Sequence, residues 1–202
     1  LIAIILTLII ISGEIDLSIA SMIALTAVIF GTAYNAGIGM PMSIVIALLS
    51  GTLCGLFNGI LVTQLQIPSI ILTIGTLTLY RGIAQSLASD FSLGGYPSWF
   101  IGIDYRYVGI VPIPVIIFTV FAIVVGFFLS STIYGKQLYL IGTNPQTAKY
   151  SGIKVNRIKL LLFTLSGLVC GIAGVLTTSR LAVARFNMAT GAELEIVLMV
   201  ML

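Results

Sequence analysis

"VPIPVIIFTVFAIVVGFFLSS", residues 111–131, runs for 21 positions without a charged side chain. A helix that crosses a hydrocarbon layer of about 30 Å needs about 20 consecutive, mostly apolar residues. This run meets that length alone, and others like it lie on either side. Over all 202 residues, 59% are hydrophobic and 7% are charged, with a mean hydropathy of +1.21. Soluble domains are about 45–50% apolar and about 25% charged. A water-soluble fold would leave apolar surface in water with too few polar groups to cover it, and a lipid solvent removes that conflict. The reading is an all-α, polytopic membrane helical bundle.

Working outward from residues 111–131, turn signals divide the chain. Residues 1–11 read as the tail of one span. The polar break "SGEID" follows, and residues 17–32 continue as a short apolar run. Residues 42–65 form a span, ended by "QLQIP", where Pro68 disfavours helical geometry at Ile67. Residues 69–87 span again. Residues 89–109 form a polar, aromatic loop, 134–157 a basic loop, 160–178 a span, 180–191 a loop, and residue 194 begins the last run. The expectation is about six crossings, two of them partial, in one transmembrane domain over residues 1–202. Both ends read as cut through helices, so the chain is expected to be a fragment of a longer protein.

The nine Lys and Arg residues are unevenly placed. Lys136, Lys149, Lys154, Arg157 and Lys159 fall within 24 residues that hold no acid. Short cytoplasmic loops of membrane proteins are enriched in Lys and Arg, so residues 134–159 are expected in the cytoplasm and residues 89–109 outside. The same stretch carries a helix signature. Asn144 suits an N-cap, Pro145 the first helical position, and Gly152 the position past the end. "PQTAKYS" is then a helix of about two turns, too short to be stable alone, and it must rest on something. Two accounts stand side by side: a topology signal and a docking element.

Gly51, Gly55 and Gly59 recur every fourth residue on one helix face, and Ser166, Cys170 and Gly174 do so on another, with Gly167 and Gly171 alongside. In lipid, small residues matter because they let backbones approach. Ordinary helix packing accounts for both stripes. Cys54 and Cys170 read as small packing residues. Glu14 and Asp16 interrupt an apolar stretch, and an acid near the bilayer centre costs about 3 kcal/mol or more. Either the break lines a wet cavity, or it lies at a membrane surface with Asp16 or Ser18 capping the next helix. Arg81 either snorkels to the outer surface or faces a translocation path. Tyr96, Trp99, Tyr105 and Tyr107 suit an interfacial belt. With Asp90 and Asp104 they also suit reception of a sugar or a docking protein.

Enzyme signatures are missing from the sequence. It has no histidine, no G-x-x-x-x-G-K-[ST] phosphate loop, and no metal-type cysteine spacing. Neither cofactor nor metal is expected, and nothing provides the basic face with stacking aromatics that nucleic-acid binding requires.

Four segments carry a family resemblance: "SGEIDLSIAS" (12–21), "NGILVTQLQIPSIILTIGTLTLYRGIA" (58–84), "YGKQLYLIGTNPQTAKYSGIKVNRIKLLLFTLSGLVCGIAGVL" (134–176) and "SRLAVARFNMATGAELEIV" (179–197). In collinear order they resemble the permease subunits of ribose-type sugar ABC importers, a branch that includes xylose, rhamnose and autoinducer-2 permeases. Glu14 stands where that family usually has the second glycine of Gly-Gly-Ile-Asp. The family also continues beyond residue 202 into a glycine-rich stretch and more spans. The resemblance implies a bacterial inner-membrane permease for a small sugar or sugar-like solute. The expected partners are a second permease subunit, an identical or different one, an ATP-binding subunit on the cytoplasmic side and a periplasmic solute-binding protein. It also implies that Asn144, Pro145, Ala148, Lys149, Ser151 and Gly152 belong to the loop that couples to the ATPase. Glu14, Asp16, Ser18 and Arg81 are the candidates for the path or the helix break. The alternative function is a self-sufficient secondary transporter or channel.

Overall fold

The computed structural model of the chain describes residues 1–89, 91–103 and 107–202. Asp90, Asp104 and Tyr105, singled out above, lie outside the described residues. The described residues form helices α1 (Ile2–Ile11), α2 (Ile19–Asn35), α3 (Met40–Thr63) and α4 (Ser69–Ala88). A short hairpin of β1 (Tyr107–Val108) and β2 (Val111–Pro112) follows. Next come α5 (Ile113–Ser131), α6 (Ile133–Thr143), α7 (Pro145–Tyr150), α8 (Val155–Leu181) and α9 (Ala192–Met201). Among these, α3, α4, α5 and α8 are long and apolar enough to cross a membrane, and α1 and α2 are shorter apolar helices. The chain is a helical membrane bundle.

At its centre α3 and α8 run antiparallel and α2 packs on both. A Cβ built on Gly51 would strike the Gly167 carbonyl oxygen. One on Gly55 would strike the Phe163 carbonyl oxygen and the Gly167 backbone, and one on Gly167 the Gly51 carbonyl oxygen. The two small-residue stripes therefore face each other, backbone against backbone. Gly174 receives α2 in the same way, at Ile23, Thr26 and Ala27. Most of α2 is buried. Helix α5 is the opposite case, with no residue buried. Its Phe121, Val125 and Leu129 only lean on the core, and the rest of its apolar surface faces outward, as a lipid-facing helix requires.

Two ends result. At the basic end lie the α3–α4 connection, the α1–α2 break, α6, α7 and the start of α8. Asn156 there donates to the Thr63 carbonyl at 2.9 Å. At the far end residues 91–103 fold over the tops of α2 and α8. Leu93 and Ala184 exchange both backbone hydrogen bonds, at 2.9 and 2.8 Å.

Two expectations need correction here. Residues 134–157 are not a loop: α6 fills residues 133–143, and α8 begins at Val155, so Arg157 and Lys159 stand on its first turns. Helix α6 is hidden in the sequence because its two apolar clusters alternate with Gly135, Lys136 and Gln137. It starts on a Thr132 cap, whose Oγ1 accepts from the Gly135 amide at 3.1 Å. Tyr96 does not sit in an aromatic belt. It is buried with Phe30 and Phe100, ring centroids 5.4 and 5.5 Å away, and burial raises its phenol pKa above the ordinary value. Trp99 and Tyr107 are exposed, as a belt requires.

Candidate functional site: the basic end of the bundle

Helix α7 starts on Asn144, whose Oδ1 accepts from the amides of Gln146 and Thr147 at 3.0 and 3.1 Å. Pro145 occupies the first helical position, where its missing N–H costs nothing. The helix closes through Ser151 Oγ, which donates to the Thr147 carbonyl at 3.0 Å, and through the Gly152 and Ile153 amides, which return to Lys149 and Ala148. Gly152 has φ +81°, a value at which a Cβ is strained. The element rests on its own chain. Ala148 is buried against Ile141 of α6 and Val155 of α8, with Ile153 and Ile158 alongside. Gln146, Thr147, Lys149 and Tyr150 face outward, Tyr150 with 90% of its surface exposed. Ala148 thus points inward and seats the helix.

The break between α1 and α2, residues 12–18, lies beside the start of α8. Glu14 pairs with Lys159 at 2.5 Å. Asp16 is fully buried. Its Oδ1 accepts from the Ser18 amide at 2.9 Å and the Ser18 hydroxyl at 2.6 Å, so Asp16 fixes the turn that leads into α2. Ser18 Oγ accepts from Asn58 Nδ2 at 2.8 Å. Tyr80 Oη lies 2.9 Å from Asn58 Oδ1 and 3.0 Å from the Cys54 carbonyl. Every donor in the series Tyr80, Asn58, Ser18 points toward the carboxylate, and such chains polarise one another in a low-dielectric interior. Asp16 Oδ2 has no hydrogen-bond partner. The Ile15 amide donates to Ser69 Oγ at 3.1 Å, which fastens the break to α4. The sequence pointed to Asp16 and Ser18 but missed Asn58 and Tyr80. The available signal was a lone Asn in the glycine stripe of α3.

Arg81 is not part of this group. Its guanidinium donates to the Phe186 and Met188 carbonyls at 2.8 and 2.9 Å, and the Glu193 carboxylate acts on it electrostatically. It pins residues 182–191 to α4 at the far end rather than snorkelling free. Among the described residues, no group of three or more His, Cys, Asp or Glu side chains is arranged to hold a metal ion.

The chain matches, over residues 1–202, the family model described as branched-chain amino acid transport system / permease component. The chain belongs to this permease family. It is 36% identical over 194 residues to the autoinducer 2 import system permease protein LsrD of Escherichia coli (strain K12), and equally so to those of Escherichia coli O157:H7 and Shigella flexneri. The match takes in 93% of this chain and 59% of each relative, so the chain spans a little over half the length of these permeases. No solved structure matches it. The family and the apolar helices make it a multi-pass protein of the inner membrane.

Within this permease bundle, the Glu14–Lys159 pair gives an expected outcome. The two side chains are 16% and 13% exposed. Glu14→Gly is tolerated, because Lys159 can extend its ammonium along its stem to water. Glu14→Lys sets two cations against each other and lowers the detergent melting temperature and uptake of the full-length protein. The exchange Glu14→Lys/Lys159→Glu recovers most of both. A double variant no better than Glu14→Lys would show that the pair contributes nothing.

Proposed function

We propose that this chain is a membrane-spanning part of a permease subunit in an ATP-driven bacterial importer for a small sugar or sugar-like solute. The observation that carries this reading is α7. It is a six-residue helix capped at both ends, seated on the bundle through one alanine and presenting four adjacent outward side chains. A plain connecting loop has no use for such rigidity. An element that must transmit force from a partner does. With the basic end on the cytoplasmic side, residues 144–152 meet an ATP-binding subunit, which supplies the energy that this chain has no phosphate loop to extract. The relatives named for autoinducer 2 import support a sugar-like solute as cargo. A second permease subunit would complete the pathway, and a periplasmic solute-binding protein would deliver to the far end.

The test is uptake by cells lacking the full-length gene, offered pentoses, deoxyhexoses and autoinducer 2, paired with deletion of the ATP-binding subunit encoded beside it. Loss of uptake of one solute in both strains is the expected result. Uptake that survives without the ATP-binding subunit would replace this reading with a self-sufficient transporter.

A further inference from the structure

At the basic end an open groove of about 560 Å³ runs between the α5–α6 corner and the start of α8. Its mouth holds Lys154 and Arg157, and its wall is built by Phe128, Tyr134, Leu161 and Leu162. The Phe128 and Tyr134 rings lie parallel, 7° apart in plane with centroids 6.5 Å apart. Along α8 the rise from Lys154 to Leu162 is about 12 Å at 1.5 Å per residue. The groove therefore passes from cationic to apolar over the depth that separates a lipid headgroup from its upper acyl chain. Among the described residues, neither the Lys154 nor the Arg157 side chain has an acidic partner, whereas Lys159 on the same helix pairs with Glu14.

We propose that this groove is a binding site for an anionic phospholipid of the cytoplasmic leaflet, its phosphate on Lys154 and Arg157 and one acyl chain along Phe128, Leu161 and Leu162. The occupant follows from complementarity. The groove opens beside α5, an apolar helix of membrane-spanning length with no buried residue. An acyl chain suits that apolar side, and an anion answers the two cations, which have no acidic partner among the described residues. Basic pockets between transmembrane helices on the cytoplasmic side suit anionic headgroups, each Lys or Arg adding to the attraction. Tyr134, exposed just past the end of α5, is the kind of amphipathic ring that favours the membrane interface. The groove lining includes Gly152 and Ile153, directly after α7, so a bound lipid would brace the seat of that helix. The location in the cytoplasmic leaflet rests on the orientation proposed above.

The experiment uses the purified full-length protein, delipidated in detergent, with lipid adducts counted by native mass spectrometry. Phosphatidylglycerol is expected to bind more tightly than phosphatidylcholine. Lys154→Gln/Arg157→Gln is expected to weaken phosphatidylglycerol at least about tenfold and to leave phosphatidylcholine unchanged. Lys136→Gln, an exposed cation of the same end outside the groove, should leave both unchanged. Equal binding of the two lipids overturns the proposal. So does an equal loss in Lys136→Gln, which would mean diffuse charge rather than a site. Glycerophosphoglycerol, the headgroup without acyl chains, should fail to compete. Effective competition would reassign the groove to a free phosphate-bearing solute. A photoreactive residue at Tyr134 should cross-link to lipid in membranes, and cross-linking to protein instead would assign the groove to a protein contact. Binding in detergent is blind to sidedness and to transport, so its failure leaves the importer reading standing, and failed uptake leaves the lipid site standing.

Discussion

Gly167→Val should reduce the amount of full-length protein in the membrane more than tenfold and abolish uptake with it. The reason is the identity of the atoms in the way. At Gly167 a Cβ meets the carbonyl oxygen and carbon of Gly51 and the amide nitrogen of Gly55. These are backbone atoms of α3, held by that helix's own hydrogen bonds, and cannot turn aside as a side-chain tip can. Overpacking a core costs about 1–3 kcal/mol when neighbours can adjust, and here the only adjustment is to push α3 and α8 away from each other along their length. In lipid no hydrophobic force draws them together again. Helix α4 provides the control, since a Cβ at Gly75 or Gly82 meets nothing within 4 Å. Gly75→Ala and Gly82→Ala should accumulate at the wild-type level. Immunoblots of membranes and melting in detergent read the difference. Wild-type abundance of Gly167→Val would mean that α3 and α8 do not pack through their glycines.

Ala148→Glu should remove most of the ATP-binding subunit that co-purifies with the full-length permease, at least tenfold, while the permease stays in the membrane. The side chain at this position is buried against Ile141 and Val155. Burying an unpaired carboxylate costs several kcal/mol, more than a helix of six residues held by one small apolar contact can withstand. The helix lifts from its seat, and the outward residues Gln146, Thr147, Lys149 and Tyr150 lose their fixed arrangement. Ala148→Gly is milder, because glycine inside a helix costs about 1 kcal/mol relative to alanine and leaves the seat apolar. Lys149→Ala is milder still, since an exposed ion pair is worth about 0–1 kcal/mol. The order of loss is therefore Ala148→Glu, Ala148→Gly, Lys149→Ala. Hydrogen exchange at residues 146–151 should rise most in the first variant, less in Ala148→Gly, and stay unchanged in Lys149→Ala. Full retention of the ATP-binding subunit by Ala148→Glu would remove the coupling role from α7.

How much of this is legible in the sequence depends on the range of each interaction. The caps of α7 are legible because Asn144, Pro145 and Gly152 act on neighbours two or three residues away. The apolar runs are legible because lipid imposes a length. Both glycine stripes are visible, but nothing in either one names the other as its partner, 116 residues apart between Gly51 and Gly167. The Glu14–Lys159 pair bridges 145 positions, and the chain Tyr80–Asn58–Ser18–Asp16 joins α4 and α3 to the break before α2. Such contacts are set by how the bundle closes. Helix α6 escapes notice because its charge and glycines read as a loop, and only the Thr132 cap, a local feature, marks its start. The inward turn of Ala148 cannot be foreseen without α6 in place, since Ile141 provides half of its seat.

Helix α8 touches everything that distinguishes the two ends. Its 27 residues extend about 40 Å. At one end Val155 seats α7 and Lys159 holds the break. At the other, Ser179 donates to the Phe100 carbonyl at 2.5 Å, under the cover formed by residues 91–103. It packs on α3 through bare backbone, so a displacement carried along its axis would reach the other end as through a shaft. Thermodynamic reciprocity then constrains whatever binds. A ligand at one end that prefers one seating of the shaft changes the affinity of a ligand at the other end by the same factor that it is itself changed.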